Sequence, residues 1–286
     1  MVSRGVMAVE LVLVVLFAII PIIASIYLLA KKTIKGSCFF CGVIGYICAL
    51  IAIGIFGGIL TVANMSKIQN DPMGFVKSVS YLLPVTIITV ILTQLSMLIC
   101  AGGIIKNRRN FNEAVSFGLG YSVVNFLVVG FSGLSNFLTL KTIESGAFDV
   151  KYRQYIDAGI MTKEQVIQTK AVYTDIKMLD LLVSIPNTLL STFVTLVFAI
   201  AIIYSLKVKK GFLAFLITTV LNTVSVVVVI LLNQNVFVSF AIQAVLAVIA
   251  FFFIKKVKDK MVDEPDSILT KDSFIDSVNT VQNESK

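Results

Sequence analysis

The side chains able to do chemistry in this sequence are hydroxyls and carboxamides set in apolar surroundings. Thr86, Thr89, Thr93 and Ser96 follow one another at spacings of 3, 4 and 3, with Gln94 beside them. Gly118, Ser122, Asn125, Ser132 and Asn136 fall at 4, 3, 7 and 4, with Tyr121 adjacent. Ser184, Thr188, Ser191 and Thr195 fall at 4, 3 and 4, next to Asn187, and Thr218, Asn222 and Ser225 at 4 and 3. These spacings put each set on one stripe of a helix. Such groups can hydrogen-bond a ligand but do not exchange a proton at physiological pH. The chain has no histidine, so an imidazole base, a His-ligated zinc and a Ser-His or Cys-His pair are all excluded. The acids within apolar segments are Glu10 and Asp180, both near segment ends where water is expected to reach them. No Lys or Arg lies in a segment interior, which argues against a proton pump, a Schiff-base photoreceptor and an aspartyl intramembrane protease.

Two readings of the stripes stand side by side. Convergent polar groups can line a binding cavity. They can equally bond helices together, at roughly 0.6 kcal/mol per interhelical bond. Gln94, Asn125, Asn187 and Asn222 favour a cavity more than the hydroxyls do, because a buried amide needs several partners. In either case the stripes should face one another, away from hydrocarbon.

The elements that carry them are seven apolar segments. They run from about Met7 to Ala30, Ser37 to Ala63, Tyr81 to Ile105, Val115 to Leu140, Leu179 to Leu206, Gly211 to Leu232 and Val236 to Ile254. Each is long enough for a bilayer core of about 30 Å. Composition agrees: 57% of the 286 residues are apolar, 14% are charged, and the mean hydropathy is +0.95. A soluble domain carries about a quarter charged residues. A cytosolic enzyme, a secreted disulfide scaffold and a nucleic-acid binder are thereby excluded, and the net charge of +8 reads as a topology signal. The fold class is an all-α, polytopic membrane helix bundle.

Lysine and arginine give the orientation. Lys31, Lys32 and Lys35 follow the first segment, Lys106, Arg108 and Arg109 the third, and Lys207, Lys209 and Lys210 the fifth. Lys255, Lys256, Lys258 and Lys260 follow the seventh, whereas the other side has Arg4, Lys67 and Lys77. The positive-inside rule places the N-terminus outside and the C-terminus in the cytoplasm. The first segment reads as a retained helix and not a signal peptide, because its lysines follow it and no small-residue cleavage site stands out. The bundle thus spans residues 1–258, with an external loop over 141–178 and a polar, mobile cytoplasmic tail over 259–286. Within the loop, Thr162 to Gln165 reads as a capping box opening one helix. Ile167, Ala171 and Ile176 would supply its apolar stripe. In the tail, Ile268, Leu269, Phe274, Ile275 and Val278 allow a short amphipathic helix.

Lesser signals complete the inventory. Gly54 and Gly58 form a GxxxG that permits close helix approach. Cys38 and Cys41 form a CxxC that nothing completes as a metal site, and Cys48 and Cys100 read as packing residues. Pro21, Pro84 and Pro186 are expected to kink three segments. No GxSxG, HExxH or P-loop is present.

The residues GLGYSVVN, Gly118 to Asn125, resemble the GLGHGxxE segment of the YhfC family. That family comprises bacterial glutamic-type intramembrane proteases related to the CAAX-prenyl and bacteriocin-processing enzymes. The likeness covers about 140 residues, from the third segment to the sixth. The family's EExxR motif corresponds to Thr93-Gln94-Leu95-Ser96-Met97. Its histidine falls on Tyr121 and the following glutamate on Asn125. A Glu-Arg pair falls near Asn187 and Thr188, a later histidine near Thr195 and the last near Asn222. Every position that would carry acid–base chemistry is neutral here, so the resemblance supports the fold and argues against the reaction.

The resulting expectation is a non-catalytic, multi-pass protein of the cell membrane, a pseudoenzyme of that family. It would hold a membrane peptide or lipidated partner at Thr93, Gln94, Tyr121, Ser122, Asn125, Asn187, Thr188, Thr195 and Asn222. No cofactor, metal or nucleic acid is expected, and the bilayer itself is the first partner. The alternative is a permease, or permease subunit, for a small neutral solute, although no inverted repeat is visible. A serine nucleophile at Ser122 or Ser191 would lack a base.

Overall fold

The computed structural model describes residues 3–64, 78–103, 110–232 and 234–261. Lys67, Lys77, Lys106, Arg108 and Arg109 of the charge pattern lie outside these residues, as does the apolar set Ile268 to Val278 of the tail. Nine helices occupy the described chain: α1 (Arg4–Ala30), α2 (Gly36–Ala63), α3 (Val79–Gly103), α4 (Phe111–Glu144), α5 (Ala147–Asp157), α6 (Lys163–Thr174), α7 (Met178–Lys207), α8 (Gly211–Leu231) and α9 (Val236–Lys258). All but α5 and α6 are long and apolar enough to cross a membrane. No strand occurs among the described residues. The described residues form an all-α bundle with seven helices of spanning length, that of a multi-pass membrane protein.

The outer surface fits that medium. Ile51, Ile55 and Ile59 on α2 and Phe251 and Phe252 on α9 are each more than half exposed. In water such a continuous apolar surface would drive association, whereas acyl chains match it.

α4 is the axis of the bundle, and glycine makes it so. A Cβ at Gly120 would collide with the Phe39 carbonyl oxygen of α2, and one at Gly42 of α2 with the Phe117 carbonyl oxygen of α4. Gly118 faces α7, where its Cβ would come within 2.5 Å of Leu196 Cδ1. Gly130 faces α1, 2.8 Å from the Ala18 nitrogen by the same measure. Side chains at these positions would hold the helices apart and forfeit the dispersion contacts that drive association in lipid. The GxxxG of α2 plays no such part among the described residues, where nothing lies within 4 Å of a Cβ at Gly54 or Gly58.

The ends alternate as an odd number of spans requires. Gly5 packs on Met178, so α1 and α7 begin at the same end. At the opposite end Cys38, Ala114, Ile203, Val257 and Met261 share one buried cluster. Lys31, Lys32, Lys35, Lys207, Lys209, Lys210 and the lysines that close α9 gather at that second end. With 34 residues, about 51 Å at 1.5 Å each, α4 outruns the hydrocarbon and needs polar caps. At its start the Asn110 side chain accepts from the Glu113 N–H at 2.9 Å, while Glu113 accepts from the Asn110 N–H. Lys35 joins this cap by an ion pair to Glu113 at 3.3 Å.

Two local expectations change. The loop after α4 holds two helices, not one. Thr162 and Gln165 form the capping box of α6, with bonds of 2.9 and 3.2 Å. The additional helix α5 packs Phe148 against Ile143 and Val166. Val166 is therefore the buried residue of α6 and Ile167 is exposed, because α6 packs on α5 and on the projecting end of α4. The kink expected at Pro21 takes the form of a π turn over Val15–Ile19, just ahead of the proline. A proline cannot donate to the preceding turn and crowds its carbonyl, and a widened turn relieves both.

Candidate functional site

The polar stripes resolve into three separate groups along the bundle. The first lies between α2, α3, α4 and α7. Tyr121 is fully buried, and its hydroxyl reaches the Thr93 carbonyl oxygen and Ser96 Oγ, each at 2.9 Å. The Tyr46 ring meets the Tyr121 ring edge-on, with centroids 4.8 Å apart, and its own hydroxyl donates to Asn125 Oδ1 at 2.8 Å. Asn125 Nδ2 donates onward to Thr192 Oγ1 at 3.3 Å. Four helices are thus tied by hydroxyls and one amide, in a setting where bulk water does not compete.

The second group joins α7 to α9, where Asn187 and Ser239 exchange bonds of 3.2 and 3.4 Å. The third joins α4 to α1: Asn136 Nδ2 donates to Glu10 Oε1 at 3.2 Å. Asn136 lies eleven residues beyond Asn125, about 16 Å along the helix, so the first and third groups do not merge.

Many hydroxyls serve their own helices. Thr93 donates to the Thr89 carbonyl, Thr195 to Ser191, Ser191 to Thr188 and Ser225 to Asn222. Donation to a carbonyl three or four residues back satisfies a hydroxyl without any interhelical partner. Thr188 and Asn222 are half-buried on α7 and α8, where their carbonyls accept these bonds. Of the nine candidates, the structure brings Thr93, Tyr121 and Asn125 into one network and takes Asn187 to a different one.

Gln94 and Ser122 stand apart. Gln94 lies on the buried stripe Val90, Gln94, Met97 and Ala101 of α3, and its Oε1 has no hydrogen-bond partner among the described residues. Ser122 lies one turn beyond Gly118, on the side of α4 that meets α7, and its Oγ likewise has none among them. Both residues are almost wholly inaccessible.

Sequence reasoning passed over Tyr46, Thr192 and Ser239. Tyr46 had a signal: it follows Gly42 and Gly45, the small residues that bring α2 onto α4. Glu10 is misplaced by its position near the start of a segment. It is completely buried rather than hydrated, because it faces Gly133 and Asn136 of α4. Asp180 keeps the expected partial exposure in the first turn of α7. Among the cysteines, Cys38, Cys41 and Cys100 are buried, and Cys41 Sγ lies 3.7 Å from the Cys100 carbonyl oxygen. Cys48 is exposed instead of packed, since it lies on the outward side of α2. No group of metal-ligating side chains forms among the described residues. Compared with protein-family models, with curated proteins and with solved structures, the chain finds no match.

Proposed function

We propose that the chain is a non-catalytic membrane protein that holds a membrane peptide or lipidated partner against polar groups inside its bundle. The resemblance to the YhfC family sets the frame for this reading. The observation that carries it is Gln94 Oε1 and Ser122 Oγ, two buried polar atoms with no hydrogen-bond partner among the described residues. An unpaired buried acceptor costs about 1–3 kcal/mol, and a peptide N–H or C=O entering the bundle would recover it. The lone Ser122 hydroxyl has no base within reach, which favours binding over nucleophilic attack.

The test uses full-length protein in lipid vesicles with a panel of fluorescent membrane peptides. Binding of a subset is expected, weakened about fivefold or more by Gln94→Leu and by Ser122→Ala, with no cleavage product. Cleavage that Asn125→Ala abolishes would overturn the reading, as would unchanged binding by the double variant. Net flux of a neutral solute through the same vesicles would establish the permease instead.

A further inference from the structure

Glu10 raises a question separate from peptide binding. Its side chain is fully buried six residues into α1, about 9 Å along the helix. Oε1 accepts from Asn136, Oε2 has no partner among the described residues, and the carboxyl lies against Gly133, where a Cβ would be 3.3 Å from Oε2. The charged and titratable groups on the packed elements are few. α1 itself carries Arg4 and Tyr27, α4 carries Glu113, Tyr121, Lys141 and Glu144, and α7 carries Asp180, Tyr204 and Lys207. None of them forms an ion pair or hydrogen bond with Glu10 among the described residues.

Magnitudes decide the state of such a group. A bare carboxylate transferred to a low-dielectric interior pays a large desolvation penalty, and one neutral amide donor offsets little of it. A neutral carboxylic acid loses only what any other polar group with one bond unmade loses, which is far less. Ionisable groups within spans are also rare and tend to mark ion or proton sites.

We propose that Glu10, at the contact of α1 with α4, is a proton-binding site: Asn136 anchors Oε1 and the proton resides on Oε2. Loss of that proton sets an unpaired negative charge against Gly133 and loosens α1 from α4.

Infrared difference spectra of the full-length protein in lipid vesicles test this at neutral pH. Wild type should show the carbonyl-stretch band of a buried carboxylic acid, absent from Glu10→Gln and shifted in Glu10→Asp. A hydrophobic carbodiimide, which modifies protonated carboxyls within bilayers, should give one adduct on wild-type protein, mapped to Glu10 by mass. Its yield should fall at least tenfold as the medium is made strongly alkaline. Identical spectra for wild type and the folded variants would overturn the proposal. So would an adduct mapped elsewhere or no adduct at all, and this second measurement needs no variant to fold.

Discussion

The Tyr46 hydroxyl of α2 donates to Asn125 Oδ1 of α4 at 2.8 Å, and Asn125 passes the chain of bonds to Thr192 of α7. This link spans three helices, so its loss is felt on two interfaces. Removing the Tyr46 hydroxyl strands a half-buried acceptor. Tyr46→Phe should destabilise the protein by about 1–2 kcal/mol, near the upper range for interhelical bonds in membranes. Reversible unfolding in mixed detergent micelles measures it. A double-mutant cycle with Asn125→Ala should return a coupling of about 0.6 kcal/mol or more, and zero coupling would show that the bond contributes nothing.

Two glycine pairs, Gly42 of α2 with Gly120 of α4 and Gly54 with Gly58 of α2, should behave oppositely. Gly42→Ala places a methyl group on the Phe117 carbonyl oxygen, and backbone cannot swing aside as a side chain does. A cost of about 3 kcal/mol is expected, at the top of the range for overpacking. Gly120→Ala should match it, since the obstacle there is the Phe39 carbonyl oxygen. Gly54→Ala and Gly58→Ala meet nothing within 4 Å and should be neutral or slightly stabilising, through better helix propensity. The same unfolding assay decides between these outcomes.

The start of α4 separates a cap from an ion pair. Asn110→Ala removes the acceptor for the Glu113 N–H and should cost about 1 kcal/mol. Glu113→Gln keeps a capping side chain but loses the pair with Lys35, whose side chain is 45% exposed. Solvent screening makes that pair weak, so the change should stay below about 1 kcal/mol and shrink further in high salt.

Orientation is checked by thiol labelling in intact cells, in a background with Cys48→Ser. Gln154→Cys on α5 and Lys209→Cys in the α7–α8 turn lie at opposite ends of the bundle. The lysine-rich end should face the cytoplasm. A membrane-impermeant maleimide is then expected to label position 154 and to spare position 209 until the cells are opened. The reverse pattern would invert the topology.

The amino-acid sequence by itself determined the seven spans, and the observed helices begin and end within about four residues of the apolar segments. The reason is energetic: in hydrocarbon every backbone amide must be bonded within its own helix, so the length of an apolar run dictates an element without help from its neighbours. The capping box at Thr162 was legible on the same local terms, because its partners lie three residues apart. What the polar stripes face is a different kind of fact. A stripe gives an azimuth on one helix, and the partner depends on which helices touch and at what height. That was settled by Gly118, Gly120 and Gly130, which bring three helices onto α4 at different levels. The same packing sent Asn125 to Tyr46, Asn187 to Ser239 and Asn136 to Glu10. Distance from the end of a segment suggests water for Glu10, yet the helix turns it toward Gly133, where the absence of a side chain leaves room for a carboxyl. Burial of that group is a property of two helices in contact, and neither sequence alone contains it.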